Sequence, residues 1–180
     1  MKKPLVAALV ATLAASASFA ADPVQVERGK YLVTVGGCHD CHTPLMNTAQ
    51  GPVPDFSRAL SGHPQGLALP PPPAAVGPWV WGGAGTNTAF WGPWGISYSV
   101  NITSDRETGI GSWREEDFIA MARSGRHLGV GRPILPPMPW PSLSAMTDDD
   151  LKAMYAYLQS TRAIKNAVPE AVINPPPAQK

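Results

Sequence analysis

The sequence predicts an all-α fold interrupted by a long irregular insertion rich in proline and tryptophan. Apolar residues recur at helical spacing in three separated stretches, one before Gly36 and two after Ser112. Much of the span between them is proline and glycine, within a chain total of 21 prolines and 17 glycines, and that composition favours irregular backbone over long elements. A chain of 180 residues suits a single domain with one core behind a leader, and no internal repeat divides it.

Residues 1–20 read as an export signal. Lys2 and Lys3 give a positive start, Leu5 to Leu13 an apolar run, and Ser18-Phe19-Ala20 a small-x-small site for cleavage after Ala20. The run falls short of the ~20 residues that a membrane helix needs. No later segment is long and apolar enough, so the mature chain is expected to lack a transmembrane anchor and to work outside the cytoplasm. Loss of Lys2 and Lys3 turns the formal charge from +1 to −1, which gives no basic surface for nucleic acid.

From Asp22 to Val35 the spacing of Val24, Arg28, Tyr31 and Val35, with Leu32 beside them, predicts a helix. Gly29 in its middle costs about 1 kcal/mol relative to alanine, unless another helix packs where the side chain is missing. After Gly36-Gly37 comes Cys38-His39-Asp40-Cys41-His42. A Cys-x-x-Cys-His run is the attachment signature for c-type haem. On one helical turn both thiols can reach porphyrin vinyl groups, and His42 is placed to ligate the iron. A redox dithiol would sit at a strand end, and a zinc site would need a second ligand pair. The surroundings read as helical, and the chain has no third cysteine. His39 is expected to face solvent.

The span Thr43 to Val100 is expected to be mostly irregular. Pro70-Pro71-Pro72-Pro73 should be extended polyproline within a stiff loop that wraps the core. The aromatics Trp79, Trp81, Phe90, Trp91 and Trp94 are expected to cover core or cofactor, because large rings mainly bury area. Ser112-Trp113-Arg114-Glu115 reads as a capping box for a helix with Phe118, Met121 and Ala122 on its apolar face and Gly125 at its end. A last helix starts at Thr147-Asp148-Asp149-Asp150 and carries the stripe Leu151, Met154, Tyr155, Leu158. Residues 164–180 are rich in proline and alanine and are expected to be disordered.

An iron held by His42 has a second axial position to fill. The available side chains are His63, His127, Met46, Met121, Met138, Met146 and Met154. Met138 stands out in Ile134-Leu135-Pro136-Pro137-Met138-Pro139-Trp140, where prolines on both sides exclude helix and hold a thioether in a rigid loop. Met121 and Met154 lie on helix stripes and read as packing residues. Met46 is close to the attachment turn in sequence, Met146 precedes a cap, and His63 and His127 read as loop residues, with His127 the main competitor.

Together these residues resemble the class I cytochromes c, and within them the haem domains of bacterial cytochrome subunits that serve periplasmic dehydrogenases. The resemblance rests on Gly29-Lys30-Tyr31-Leu32, Cys38 to Pro44, Asn101-Ile102-Thr103-Ser104-Asp105, Thr108-Gly109-Ile110-Gly111-Ser112-Trp113, Pro137-Met138-Pro139-Trp140 and Tyr155-Ala156-Tyr157-Leu158. It implies a cytochrome c-like domain over 21–163 with an insertion at about 45–95 and one covalently attached haem c. Further implications are a Gly29 helix crossing the Tyr157 helix, and a Pro44 carbonyl that accepts the His42 Nδ1 proton. Asn101 or Trp113 would meet a haem propionate. The family usually has proline where Ser104 stands and often tyrosine where Trp140 stands. Its dehydrogenase members often carry three haem motifs where this chain has one.

The expected protein is an exported mono-haem carrier of single electrons between a periplasmic dehydrogenase and a cytochrome or terminal oxidase. No constellation for proton transfer or nucleophilic attack accompanies the haem motif. Two other readings stay open at this level. One is a haem enzyme or gas sensor with a labile distal ligand and His127 or Arg126 as a distal group. The other is a haem subunit permanently docked on an oxidoreductase through its proline- and tryptophan-rich surface.

Overall fold

The computed structural model describes residues 22–174, so the export signal and residues 175–180 lie outside the described residues. Helix α1 (Pro23–Val35) opens on Asp22, whose carboxylate accepts the Val24 N–H at 3.0 Å. Pro23 fills the first position, where no N–H is required. Its buried face is Gly29, Leu32 and Val33, whereas Val24, Tyr31 and Val35 are exposed. The periodicity thus located the helix but named its solvent side. Helix α5 (Asp148–Ser160) starts where Thr147 Oγ1 accepts the Asp150 N–H at 3.2 Å, with three acids at its positive end. Leu151, Ala153, Met154, Ala156 and Leu158 form its buried side.

Helices α1 and α5 cross at Gly29. A Cβ there would lie 2.5 Å from the Ala153 carbonyl carbon and 2.8 Å from Tyr157 Cβ, inside contact distance of both. Helix α3 (Glu115–Ser124) adds Phe118, Met121 and Ala122 to the same core, together with Leu60 and Ile110. Its cap is two residues later than Ser112: the Asp117 carboxylate accepts the Arg114 N–H at 3.0 Å and pairs with the Arg114 guanidinium at 2.9 Å. One further helical turn, α4 (Trp140–Ser144), follows the Met138 segment. No helix among the described residues is long and apolar enough to cross a membrane.

The all-α expectation is overturned by two antiparallel sheets. Strands β1 (Leu45–Thr48) and β2 (Gly51–Pro54) form a hairpin directly after the haem motif. Strands β3 (Gly82–Gly83), β4 (Ala89–Gly92), β5 (Gly95–Tyr98) and β6 (Val172–Ile173) form a second sheet in that order. Phe90 faces Ser97 and Gly92 faces Gly95 across a two-residue connection, Pro93-Trp94. Burial alternates along β5, as a half-buried pleated surface requires. Aromatic residues suit such strands, but in four-residue runs broken by glycine they read equally well as scattered packing. The polyproline run stays exposed and outside any regular element. Phe90 is buried as expected of a covering aromatic, whereas Trp79 and Trp81 are 75% and 51% exposed.

The tail makes defined contacts between Ile164 and Asn174, and residues 175–180 lie outside the described residues. The Ile164 carbonyl accepts from Asn101 Nδ2 at 2.7 Å. Asn166 is buried, and its Nδ2 donates to the carbonyls of Ser61 at 2.7 Å and His63 at 2.8 Å while Oδ1 accepts the Gln65 N–H at 3.0 Å. Farther on, β6 completes the larger sheet. Composition alone hides this, since a single asparagine supplies the partners that a Pro- and Ala-rich backbone cannot.

Candidate haem-attachment site

Helix α2 (Cys38–His42) is a single turn carrying the whole motif. Cys38 and Cys41 are unbonded and half-buried. Burial pushes the Cys38 thiol up to about 11 and raises the Cys41 thiol as well, with the Asp40 charge acting in the same direction, so both are protonated at neutral pH. The insertion grips this turn: Asn87 Nδ2 donates to the Asp40 carbonyl at 2.7 Å. His39 is half-buried rather than solvent-facing, with Nδ1 2.9 Å from Thr43 Oγ1 and its ring 5.6 Å from that of Phe56.

His42 is buried, and its Nδ1 lies 2.7 Å from the Val100 carbonyl oxygen. A carbonyl only accepts, so Nδ1 carries the ring proton and Nε2 keeps its lone pair. Burial lowers the imidazole's proton affinity, against the opposing pull of the Val100 carbonyl, and the ring is neutral. No described residue hydrogen-bonds Nε2. Two reduced thiols one turn apart, beside an imidazole with a free lone pair, are a donor set that fits a c-type haem.

The acceptor for His42 is not the one expected. The Pro44 carbonyl instead takes the Asp55 N–H at 2.9 Å. Val100 was not singled out by sequence reasoning, although it immediately precedes the Asn101 block. That block is itself a locked turn. Asn101 Oδ1 accepts the Thr103 N–H at 3.0 Å and hydroxyl at 2.7 Å, while Nδ2 donates to Thr108 Oγ1 at 3.1 Å and to Ile164 O. The Asn101 amide is therefore engaged within the chain, in the turn that follows Val100. Trp113 is half-buried against the core, its ring edge-on to His127 at 5.1 Å, and its carbonyl accepts the Tyr155 hydroxyl at 2.7 Å.

Met138 is half-buried in a segment tied to two elements: Ile134 N–H donates to Gly125 O at 2.8 Å, and Ser97 Oγ donates to Pro136 O at 2.6 Å. Met121 and Met154 lie in the core, Met46 is exposed on β1, and His127 is exposed on a short turn at His127–Gly129. His63, read from sequence as an ordinary loop residue, is completely buried.

No protein-family model matches the chain. It is 32% identical over 159 residues to the gluconate 2-dehydrogenase cytochrome c subunit of Pantoea cypripedii, covering 87% of this chain and 28% of that protein. It is 30% identical over 153 residues to the cytochrome c subunit of the quinone alcohol dehydrogenase of Gluconobacter oxydans, covering 83% of this chain and 25% of that one. To the fructose dehydrogenase cytochrome subunit of Gluconobacter japonicus it is 27% identical over 135 residues, 75% of this chain and 21% of that protein. The chain thus spans about a quarter of the length of these relatives. Taken with the attachment turn, these likenesses are consistent with a class I c-type cytochrome and show that the chain resembles the haem domains of bacterial dehydrogenase cytochrome subunits.

Proposed function

We propose that this protein is an exported mono-haem electron carrier, accepting single electrons from a periplasmic dehydrogenase and passing them to a cytochrome or terminal oxidase. The observation that carries the reading is His42, fixed by Val100 in the tautomer that leaves Nε2 free, one residue from Cys41. Cys38 and Cys41 would hold the porphyrin as thioethers, and His42 Nε2 and the Met138 thioether would hold the iron. When bound, the haem supplies a reversible one-electron couple. The chain's own residues would orient it, and Val100 holds the Nδ1 proton of the His42 ring. Asn101 or Trp113 would meet a propionate.

The deciding experiment is Met138→Ala. Loss of a thioether ligand should lower the reduction potential, change the visible spectrum and open the reduced protein to prompt carbon monoxide binding. A variant with the parent's spectrum and potential would remove Met138 from the iron, and prompt carbon monoxide binding by the parent would favour a haem enzyme or sensor.

One observation favours a second reading, a haem subunit permanently docked on its dehydrogenase. From Ala59 to Ser104 the chain carries no Asp, Glu, Lys or Arg, and within that span Val76, Trp79, Val80 and Trp81 are exposed. Interface cores are depleted of charge and enriched in tryptophan. Co-purification of the haem protein with a dehydrogenase catalytic subunit at high salt would favour this reading over a diffusing carrier.

A further inference from the structure

Behind the carbonyl that orients His42 lies a second buried imidazole, His63, with every polar group engaged. Its Nδ1 is 2.9 Å from Thr88 Oγ1, and its Nε2 donates to the Leu67 carbonyl at 3.1 Å. Its main-chain N–H donates to the Ser99 carbonyl at 2.9 Å, and its own carbonyl accepts from Asn166. The ring lies 4.9 Å from the Tyr98 ring. Thr88 itself accepts the Ser99 N–H on its carbonyl at 2.8 Å, and its hydroxyl is 2.8 Å from that of Thr86. His63 therefore touches Tyr98, Ser99 and Thr88, the residues that fix the backbone leading into Val100.

The preceding residue completes the clamp. Gly62 donates its N–H to the carbonyl of His42 itself at 2.8 Å, and it adopts φ +76°, where a side chain is strained. A Cβ on Gly62 would also lie 2.6 Å from both C and O of Val100. The backbone of this loop is thus pressed directly between the attachment turn and the carbonyl that orients its histidine.

We propose that His63 is a positioning residue for the proximal ligand, holding the Val100 carbonyl on His42 Nδ1 through Thr88 and Ser99. The inference rests on the reading of His42 as the iron ligand. The imidazole, unlike an apolar side chain, ties Thr88 and Leu67 to this loop through two hydrogen bonds. A carbonyl held firmly on Nδ1 makes the ring a stronger electron donor through Nε2, which favours the oxidised iron. Loosening it shifts the potential upward.

The test uses the haem-loaded protein with three variants, Thr88→Val, His63→Ala and His63→Asn. Thr88→Val keeps volume and removes the hydroxyl, whereas His63→Asn keeps a polar atom near the Nδ1 position. Midpoint potential is read by redox titration, and exchange of the His42 Nδ1 proton by NMR of the reduced protein. Thr88→Val and His63→Ala are expected to raise the potential and to speed that exchange by roughly tenfold, the scale of one weakened hydrogen bond. His63→Asn should stay near the parent in both. If His63→Ala fails to fold, Thr88→Val decides alone. Variants that lose thermal stability yet keep the parent's potential and exchange rate would reduce His63 to a structural residue and overturn the proposal. A parent with no exchangeable proton from a ligated imidazole would overturn the His42 reading first, a failure visible before any variant is made.

Discussion

Gly29→Ala turns the crossing of α1 and α5 into a measurement whose sign decides between two accounts. An added Cβ lies 2.5 Å from the Ala153 carbonyl carbon and 2.8 Å from Tyr157 Cβ, where carbon atoms ordinarily rest at about 3.5–4.0 Å. The obstacles are helix backbone and the root of a side chain, so neither can swing aside. The helices must part by about 1 Å, and a gap of that size forfeits a quarter to a half of each contact along the seam. Overpacking of this kind costs up to about 3 kcal/mol, offset by about 1 kcal/mol of improved helix propensity. The expected net loss is about 2 kcal/mol, or a fall of about 4–8 °C in Tm for a domain of this size. Thermal and urea unfolding followed by far-UV circular dichroism would read it. If Gly29 were only a weak point in an isolated helix, alanine would stabilise by about 1 kcal/mol. An unchanged or raised Tm therefore refutes the close crossing.

Asn166→Ala strips partners from the buried carbonyls of Ser61 and His63, each worth about 1 kcal/mol, so a drop of about 2 kcal/mol is expected in urea unfolding. Burial holds His63 below the ordinary imidazole value, so as pH falls the unfolded chain takes up that proton first. Its contribution is complete above the unfolded value of about 6.5 and is lost as pH falls from there through the folded value. Stability measured from pH 7.5 to 5 should therefore decline more steeply in the parent than in His63→Asn, and parallel curves would contradict this. Trp79→Ala and Trp81→Ala, at exposed positions, should move the unfolding free energy of the isolated protein by no more than about 0.5 kcal/mol. A larger loss would mean that these rings pack within the chain.

The candidate site was more legible in the sequence than the architecture. Cys38, Cys41 and His42 stand out because the attachment signature has a fixed spacing, and the fold sets all three on one turn. Helix α5 was readable because Leu151, Met154 and Leu158 repeat at the helical period, and its Thr147 cap is local. The face of α1 was not, since Gly29 contributes to burial by lacking a side chain and so leaves no hydrophobic signal. The sheets escaped because their strands are two to four residues long, and β6 depends on a partner remote in sequence. Val100 escaped for a different reason. Its contribution to the site is a backbone carbonyl, which every residue type possesses, and only the fold selects which one meets His42.

Strand β6 and Asn166 also impose an order of assembly. Both follow every helix in the sequence, yet β6 closes the edge of β5 and Asn166 latches the Ser61 and His63 carbonyls. In a chain delivered N-terminus first, the Cys38–His42 turn emerges long before either is available. Until they arrive β5 has a bare edge and the loop behind Val100 lacks its latch. Pairing over such a sequence distance is slow to form. The loop whose Gly62 N–H donates to the His42 carbonyl is thus completed only by the last described residues of the chain.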